Sequence, residues 1–251
     1  GTYDTNKTLI IDPTLDFSGY FSSTSDDFAN GVTTDSAGNT YVVGYGRDLS
    51  LPNPVTAPIS FDAHIIKLSP TGTLIFHTYI GAGTFDFVSG RDIVLDSSGN
   101  IFITGEADSP NLPFPNGNNT LQRNPAGGGD VFVAKFNSSG ALLATTFLGG
   151  TDYESVYGIG IDASNNVYVV GESTSSTFTT NSSVGQHWPS SNAYQPSNTN
   201  TTNSDAFIAR INNDLTGLGY GSFLGGSGTD IAYGVAIHDV NTVYVGGLTE
   251  S

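Results

Sequence analysis

Apolar and polar residues alternate over short stretches of this chain, and the apolar ones are mostly β-branched or aromatic. Tyr41-Val42-Val43 and Ile101-Phe102-Ile103 are examples, each bounded by Asp, Ser, Gly and Asn. Such runs predict strands, and no amphipathic helical stretch of useful length accompanies them. The runs also repeat. One pattern occurs as GVTTDSAGNTYVVG at 31–44, RDIVLDSSGNIFITG at 91–105, IGIDASNNVYVVG at 159–171 and VAIHDVNTVYVGG at 235–247. A second follows three of these after a gap: FDAHIIKLSPTGTLIFHTYIG, GDVFVAKFNSSGALLATTFLGG and SDAFIARINNDLTGLGYGSFLGG. Each pattern reads as a hairpin, because D-S-x-G-N supplies an Asp to close the turn and a Gly or Asn for positive φ. One repeat is therefore a meander of four strands, a to d. The glycines Gly44, Gly105, Gly171 and Gly246 close the first pattern. Strand a, rich in Gly and small residues, suits the crowded inner position of a radial assembly.

The b-to-c connections vary while the meander does not. They span 46–61, 106–129 and 172–204, and nine of the 11 prolines fall in them, where no ladder donor is needed. Radially repeated four-stranded units describe an all-β protein, a β-propeller of about four meander repeats with the last incomplete. The expected division is a lead-in strand at 1–14, a d-type strand at 15–26, repeats at 27–85, 86–151 and 152–229, and a partial repeat at 230–251.

Asp152–Gly171, with its D-Y-x-x-x-Y-G-I-x-I-D-x-S-x-N-V-Y-V-x-G pattern, resembles the SBBP repeat of bacterial and archaeal surface proteins. So do the D-x-F-[VI]-A-[KR] runs at Asp130 and Asp205, the F-L-G-G closures at 147–150 and 223–226, and the opening segment at 11–15. The fourth repeat departs from the pattern, with His238 where Asp35, Asp96 and Asp162 stand in the others. The resemblance implies a β-propeller and a surface location, and it implies no reaction.

Charge narrows the function. The 251 residues carry 23 acids against 7 Lys and Arg, a net charge of -16, which argues against nucleic acid and anionic lipid as partners. No apolar run approaches a membrane span. With no cysteine there is no disulfide, thiolate nucleophile or Cys-ligated metal. The Lys-poor, Ser/Thr/Asn-rich composition reads as extracellular or cell-surface. A start at Gly1 with no methionine reads as a processed or excised piece.

Ten acids recur once per repeat. Asp27, Asp86, Asp152 and Asp230 precede strand a; Asp35, Asp96 and Asp162 sit in the a–b turn; Asp62, Asp130 and Asp205 open strand c. A residue repeated in every blade closes turns and accepts backbone N–H bonds. The functional alternative is that Asp27, Asp86, Asp152 and Asp230 ring a channel mouth and bind Ca²⁺, the only cofactor in view. Lys67, Lys135 and Arg210 share one position on strand c and are expected to pair with a repeat Asp. His64 and His77, symmetric about the Pro70–Thr71 turn, are expected to face each other as packing residues. Catalytic motifs are absent. Glu106 and Glu172, with Asp48 and Asp108, are the acids of the loops. N-x-[ST] sequons at Asn6, Asn118, Asn137, Asn181 and Asn200 offer possible glycosylation sites.

The leading reading is a non-enzymatic surface module for structure or adhesion, displaying variable loops on one face. A glycan-binding propeller, with Trp188 and Tyr194 as stacking platforms, is the alternative; a polysaccharide hydrolase or lyase is the third. Expected partners are surface proteins, glycans or neighbouring copies. The copies follow from the strand count: with LDFSGYFSS at 15–23 as a d strand, the fourth repeat lacks strand c. A fragment of a longer array is the first expectation, and head-to-tail strand donation into a filament the second.

Overall fold

The structure is a computed structural model that describes residues 18, 25–47, 61–81, 83, 87–117, 119–179, 188, 190–198, 202–239 and 242–251. The segment 15–23, apart from Ser18, and most of loop 46–61 lie outside the described residues.

The chain is all-β among these residues, and its strands follow the predicted meander. Blade 1 contains β1 (Asp27–Thr34), β2 (Thr40–Gly46), β3 (Asp62–Leu68) and β4 (Leu74–Ile80). Blade 2 contains β5 (Val88–Leu95), β6 (Ile101–Ala107), β7 (Asp130–Phe136) and β8 (Leu142–Gly150). Blade 3 contains β9 (Glu154–Ile161), β10 (Val167–Ser173), β12 (Asp205–Ile211) and β13 (Leu218–Leu224), and among the described residues the fourth sheet holds β14 (Asp230–Asp239) and β15 (Thr242–Thr249). An unforeseen short strand, β11 (Phe178–Thr179), leaves the b–c connection of blade 3 and pairs with the outer strand of blade 2, Phe178 opposite Gly150.

The a–b turns form as their sequence dictates. Asp35, Asp96 and Asp162 each accept backbone N–H bonds from residues two and four positions on, at 2.8–3.0 Å, and the side chain of Asn39, Asn100 or Asn166. These bonds hold the carboxyl of Asp35 down to about 2. In the c–d turns Ser69, Asn137 and Asn212 accept N–H bonds in the same way.

Every strand a carries a bulged residue opposite strand b at one shared position, Asn30, Arg91, Tyr157 and Tyr233, and β14 has a second irregularity at His238. These four bulges set the true equivalences and correct two of the expected ones. Gly247, opposite Ala232, is the counterpart of Gly44, Gly105 and Gly171, and Gly246 is not. Asp27, Glu154 and Asp230 all stand three residues before a bulge, with Val88 in that place in blade 2. Asp86 and Asp152 lie two residues upstream, so the four aspartates are not one repeat position.

Blades pack face to face through apolar clusters. Val131, Val133 and Leu148 of blade 2 meet Ile159, Val169, Phe207 and Phe223 of blade 3. Tyr41, Val43 and Ile65 of blade 1 meet Ile93, Ile103 and Phe132 of blade 2. The inner strands are crowded as expected: a β-carbon on Gly31 would lie 2.9 Å from the α-carbon of Asp92. The b–c connections do not stand free as pure display loops. Gln122 accepts a bond from the amide of Phe147, and Gln195 one from that of Phe223, so both connections cover the outer edge of their own sheet. Covering an edge removes a template for unwanted pairing.

Candidate functional site

The densest polar constellation lies where one blade hands over to the next. Asp130 opens strand c of blade 2, fully buried, and Oδ2 accepts from Gln122 Nε2 at 2.9 Å and from the amide of Ala126 at 2.9 Å. Gln122 Oε1 accepts the amide of Gly149 at 3.0 Å, and Glu154 Oε2 accepts that of Gly150 at 2.9 Å. The same clasp recurs between blades 3 and 4. Gln195 donates to Asp205 Oδ2 at 2.6 Å and accepts from Gly225, while Asp230 Oδ2 accepts from Gly226.

Only glycine fits between the two acids. A β-carbon on Gly149 would sit 2.8 Å from Asp130 Oδ1 and 2.6 Å from Glu154 Oε2; one on Gly225 would sit 2.6 Å from Asp205 Oδ1 and 2.8 Å from Asp230 Oδ2. Asp130 Oδ1 and Asp205 Oδ1 are buried without a hydrogen-bond donor. Burial, with Glu154 close by, pushes the Asp130 carboxyl up to about 6, and burial raises Glu154 as well. Asp205 is raised by burial and by the charge of Asp230. Chemically, each clasp makes the buried acid that opens strand c, Asp130 or Asp205, easier to protonate than a free carboxylate. Among the described residues no third His, Asp or Glu joins them to form a metal site.

The expected calcium ring is therefore rearranged. Asp230 faces Asp205 instead of a channel mouth, Asp152 is exposed and takes a bond from the Thr151 hydroxyl, and Asp86 lies outside the described residues. Asp27 is half-buried beside Gly46. The bulge register separates these residues.

Glu106 is buried, accepting from Ser89 Oγ at 2.6 Å, Arg91 Nε at 2.8 Å and, across the blade boundary, the amide of Val156 at 3.2 Å. Glu172 accepts from the hydroxyls of Tyr157 and Ser204. Both acids are thus occupied in holding neighbouring strands. Asn30 extends the pattern, its Nδ2 donating to Gly90 O of the next blade at 2.7 Å.

Trp188 requires a correction. It is 6 % exposed, stacked on Phe178 with ring centroids 4.4 Å apart and edge-on to Phe207 and Phe223. It is a core residue and cannot serve as a surface platform. The strand β11 carries Phe178 into that core, and Trp188 follows to fill it. Tyr194 is 82 % exposed. Its neighbour Gln195 is the counterpart of Gln122, so Tyr194 matches Leu121, which is fully buried and bonded through its amide to Leu215 of the next blade.

Among the described residues the expected cation–aspartate pair forms once, Lys67 to Asp35 at 3.6 Å. What recurs instead is a cross-strand cation and ring: Lys67 opposite Tyr41, Lys135 opposite Phe102 and Arg210 opposite Tyr168. Lys67 lies 4.7 Å and Lys135 5.2 Å from the ring centroid. Lys135 also donates to Asn213 of blade 3. His64 and His77 do meet, Nδ1 to Nε2 at 2.8 Å, diagonally across the ladder. His64 Nε2 donates to Gly46 O, so its Nδ1 accepts the His77 proton. Burial pushes both imidazoles down, His77 to about 4 with His64 beside it adding to the effect.

Of the sequons, Asn137 uses its Oδ1 to close its own turn; Asn6, Asn118, Asn181 and Asn200 lie outside the described residues. The repeated glutamines Gln122 and Gln195 escaped the sequence reading. Their signal was a Gln eight or ten residues before the Asp that opens strand c.

No curated protein matches the chain. Over residues 16–47 and 75–113 it matches the SBBP family of beta-propeller repeats, the architecture that its successive meander sheets build.

Proposed function

We propose that the chain is a non-enzymatic module of the extracellular space or cell surface, a propeller array that serves structure or adhesion without a cofactor. The observation that carries this reading is the use made of the recurring acids. They close a–b turns or clasp one blade to the next, and Glu106 and Glu172 hold strands, so the side chains that a hydrolase would need are spent on architecture. No helix among the described residues is long and apolar enough to cross a membrane. The supporting composition is acidic and Lys-poor, so its partners are other surface proteins, glycans or neighbouring copies.

The test is a polysaccharide panel and a glycan array run on the wild-type protein, with fractionation of the producing cells. The reading expects the chain in the surface or medium fraction and no turnover. Turnover lost on Glu106→Gln or Glu172→Gln would replace it with a hydrolase. Array binding lost on Tyr194→Ala would narrow the partners to glycans and make the module a lectin.

A further inference from the structure

Lys67, Lys135 and Arg210 share one place on strand c, but their charged ends meet different groups. Lys67 reaches Asp35 of its own blade at 3.6 Å. Lys135 leaves blade 2 for the c–d turn of blade 3, where Nζ donates to Asn213 Oδ1 at 2.5 Å and to Asn213 O at 3.2 Å. Asn213 follows Asn212, the residue whose side chain closes that turn. The residues that follow its counterparts, Ser69 and Asn137, are Pro70 and Ser138. Neither has a side-chain amide. Among the described residues the meeting of a lysine with a carboxamide therefore belongs to the junction of blades 2 and 3, and it breaks the repeat.

The carboxamide of Asn213 is held from both ends. Its Nδ2 donates to Asn165 O at 3.1 Å and to Oδ2 of the buried Asp96 at 3.4 Å, while Oδ1 accepts from the ammonium. Those partners decide which end of the amide is nitrogen. Asn165 is fixed in turn, at φ 63, with its side chain bonded to the amide and the hydroxyl of Ser97. Lys135 is partly buried, its Nζ 5.2 Å from the centre of the Phe102 ring. Asn213 Cγ lies at most one C=O bond beyond the 2.5 Å contact, close to the separation of about 3–3.5 Å at which reacting atoms are poised. A primary amine thus rests against an amide carbonyl, and a carboxylate touches the nitrogen that would leave.

We propose that Lys135 and Asn213 join in an isopeptide bond, formed by the chain itself, which ties strand c of blade 2 covalently to the c–d turn of blade 3. Lysine is a nucleophile once Nζ has given up a proton. Its lone pair then attacks Cγ, and the carbonyl pair moves onto Oδ1. When that pair returns, the Cγ–Nδ2 bond breaks and Nδ2 departs as ammonia. One of the three ammonium protons stays on the new amide and two leave with Nδ2. The products are one secondary amide and one ammonium ion, and no other reactant enters. Asp96 Oδ2 holds the departing nitrogen and stabilises it as ammonium. The inference goes beyond the proposed function and does not depend on it.

The experiment is mass spectrometry of the purified 251-residue chain, intact and after digestion with trypsin. The intact mass is expected to fall short of the sequence mass by one ammonia. Trypsin should fail to cut after Lys135, and fragmentation should show residue 213 joined to its side chain. Lys135→Arg and Asn213→Ala should each restore the full mass of their own sequence. A wild-type chain of full mass, with linear peptides ending at Lys135, overturns the proposal. So does a deficit that survives Lys135→Arg, which would place the lost ammonia in a succinimide such as Asn116–Gly117 can form. The wild-type peptide map decides the matter without any variant, so a variant that misfolds cannot imitate either result.

Discussion

The junction between blades 2 and 3 and the junction between blades 3 and 4 are built from the same parts, yet only the first is filled. Both have the Gln–Asp–Gly–acid clasp, with nearly identical bonds. In the first, Leu121 is fully buried and Phe207, Phe223 and Trp188 close the core. In the second, Tyr194 is left in solvent, and Tyr220, Leu224, Val243 and Val245 are only half-buried. The clasp therefore registers one blade against the next without requiring the apolar core to be complete. Hydrogen bonds set the geometry, and burial supplies most of the stability.

The sharpest way to break this comparison is to empty the filled junction. Phe207→Ala should cost about 3–5 kcal/mol in denaturant unfolding, because the ring is wholly enclosed. A cost under about 1 kcal/mol would mean that the two junctions are equally loose. Acid gives the next effect, through the blade 1 histidines: His64 stands where Phe132 and Phe207 fill the other blades, and His77 where Thr145 and Gly221 stand. The unfolded chain protonates His77 near 6.5, the folded chain only near 4, so stability is full above about pH 6.5 and falls as pH drops through that window. The loss should be roughly 2 kcal/mol, and His64→Phe with His77→Thr, matching Phe132 and Thr145 of blade 2, should abolish it.

Asp130 has the opposite sign. The folded chain takes its proton near pH 6 and the unfolded chain near 3.8, so this group lowers stability at pH 7 and the deficit fades as pH falls toward 4. Asp130→Asn should then raise stability by about 1 kcal/mol at pH 7 and by nothing at pH 4, as followed by thermal melting at the two pH values. The smallest effect belongs to the open junction. Tyr244→Ala should change stability by less than about 0.5 kcal/mol, and amides of β14 and β15 should exchange with deuterium faster than those of β9 and β10.

Much of this fold was legible in the residues. The three c strands begin at the Asp that the pattern marked, and the a–b turns use their Asp and Asn as the D-S-x-G-N spacing required. The register of strand a was not legible, because the bulge is filled by Asn30, Arg91, Tyr157 and Tyr233, which carry no common residue type through all four repeats. Grouping the acids as those that precede strand a placed Asp86 and Asp152, ten residues before Asp96 and Asp162, beside Asp27 and Asp230, eight residues before Asp35 and His238. Trp188 was misread for a related reason. A two-residue strand in a Ser/Thr-rich loop shows no periodicity, and only its pairing across to blade 2 reveals that the loop turns inward.

That pairing also decides how the molecule yields to force. Because β11 leaves blade 3 to lie along the last strand of blade 2, those two sheets are laced together and cannot be drawn apart without first unzipping the lace. No such lace crosses to the fourth sheet among the described residues, where a tug would peel β14 and β15 away as a single tongue. Under tension the array is thus graded, with a soft tab at one side and a locked pair at its centre.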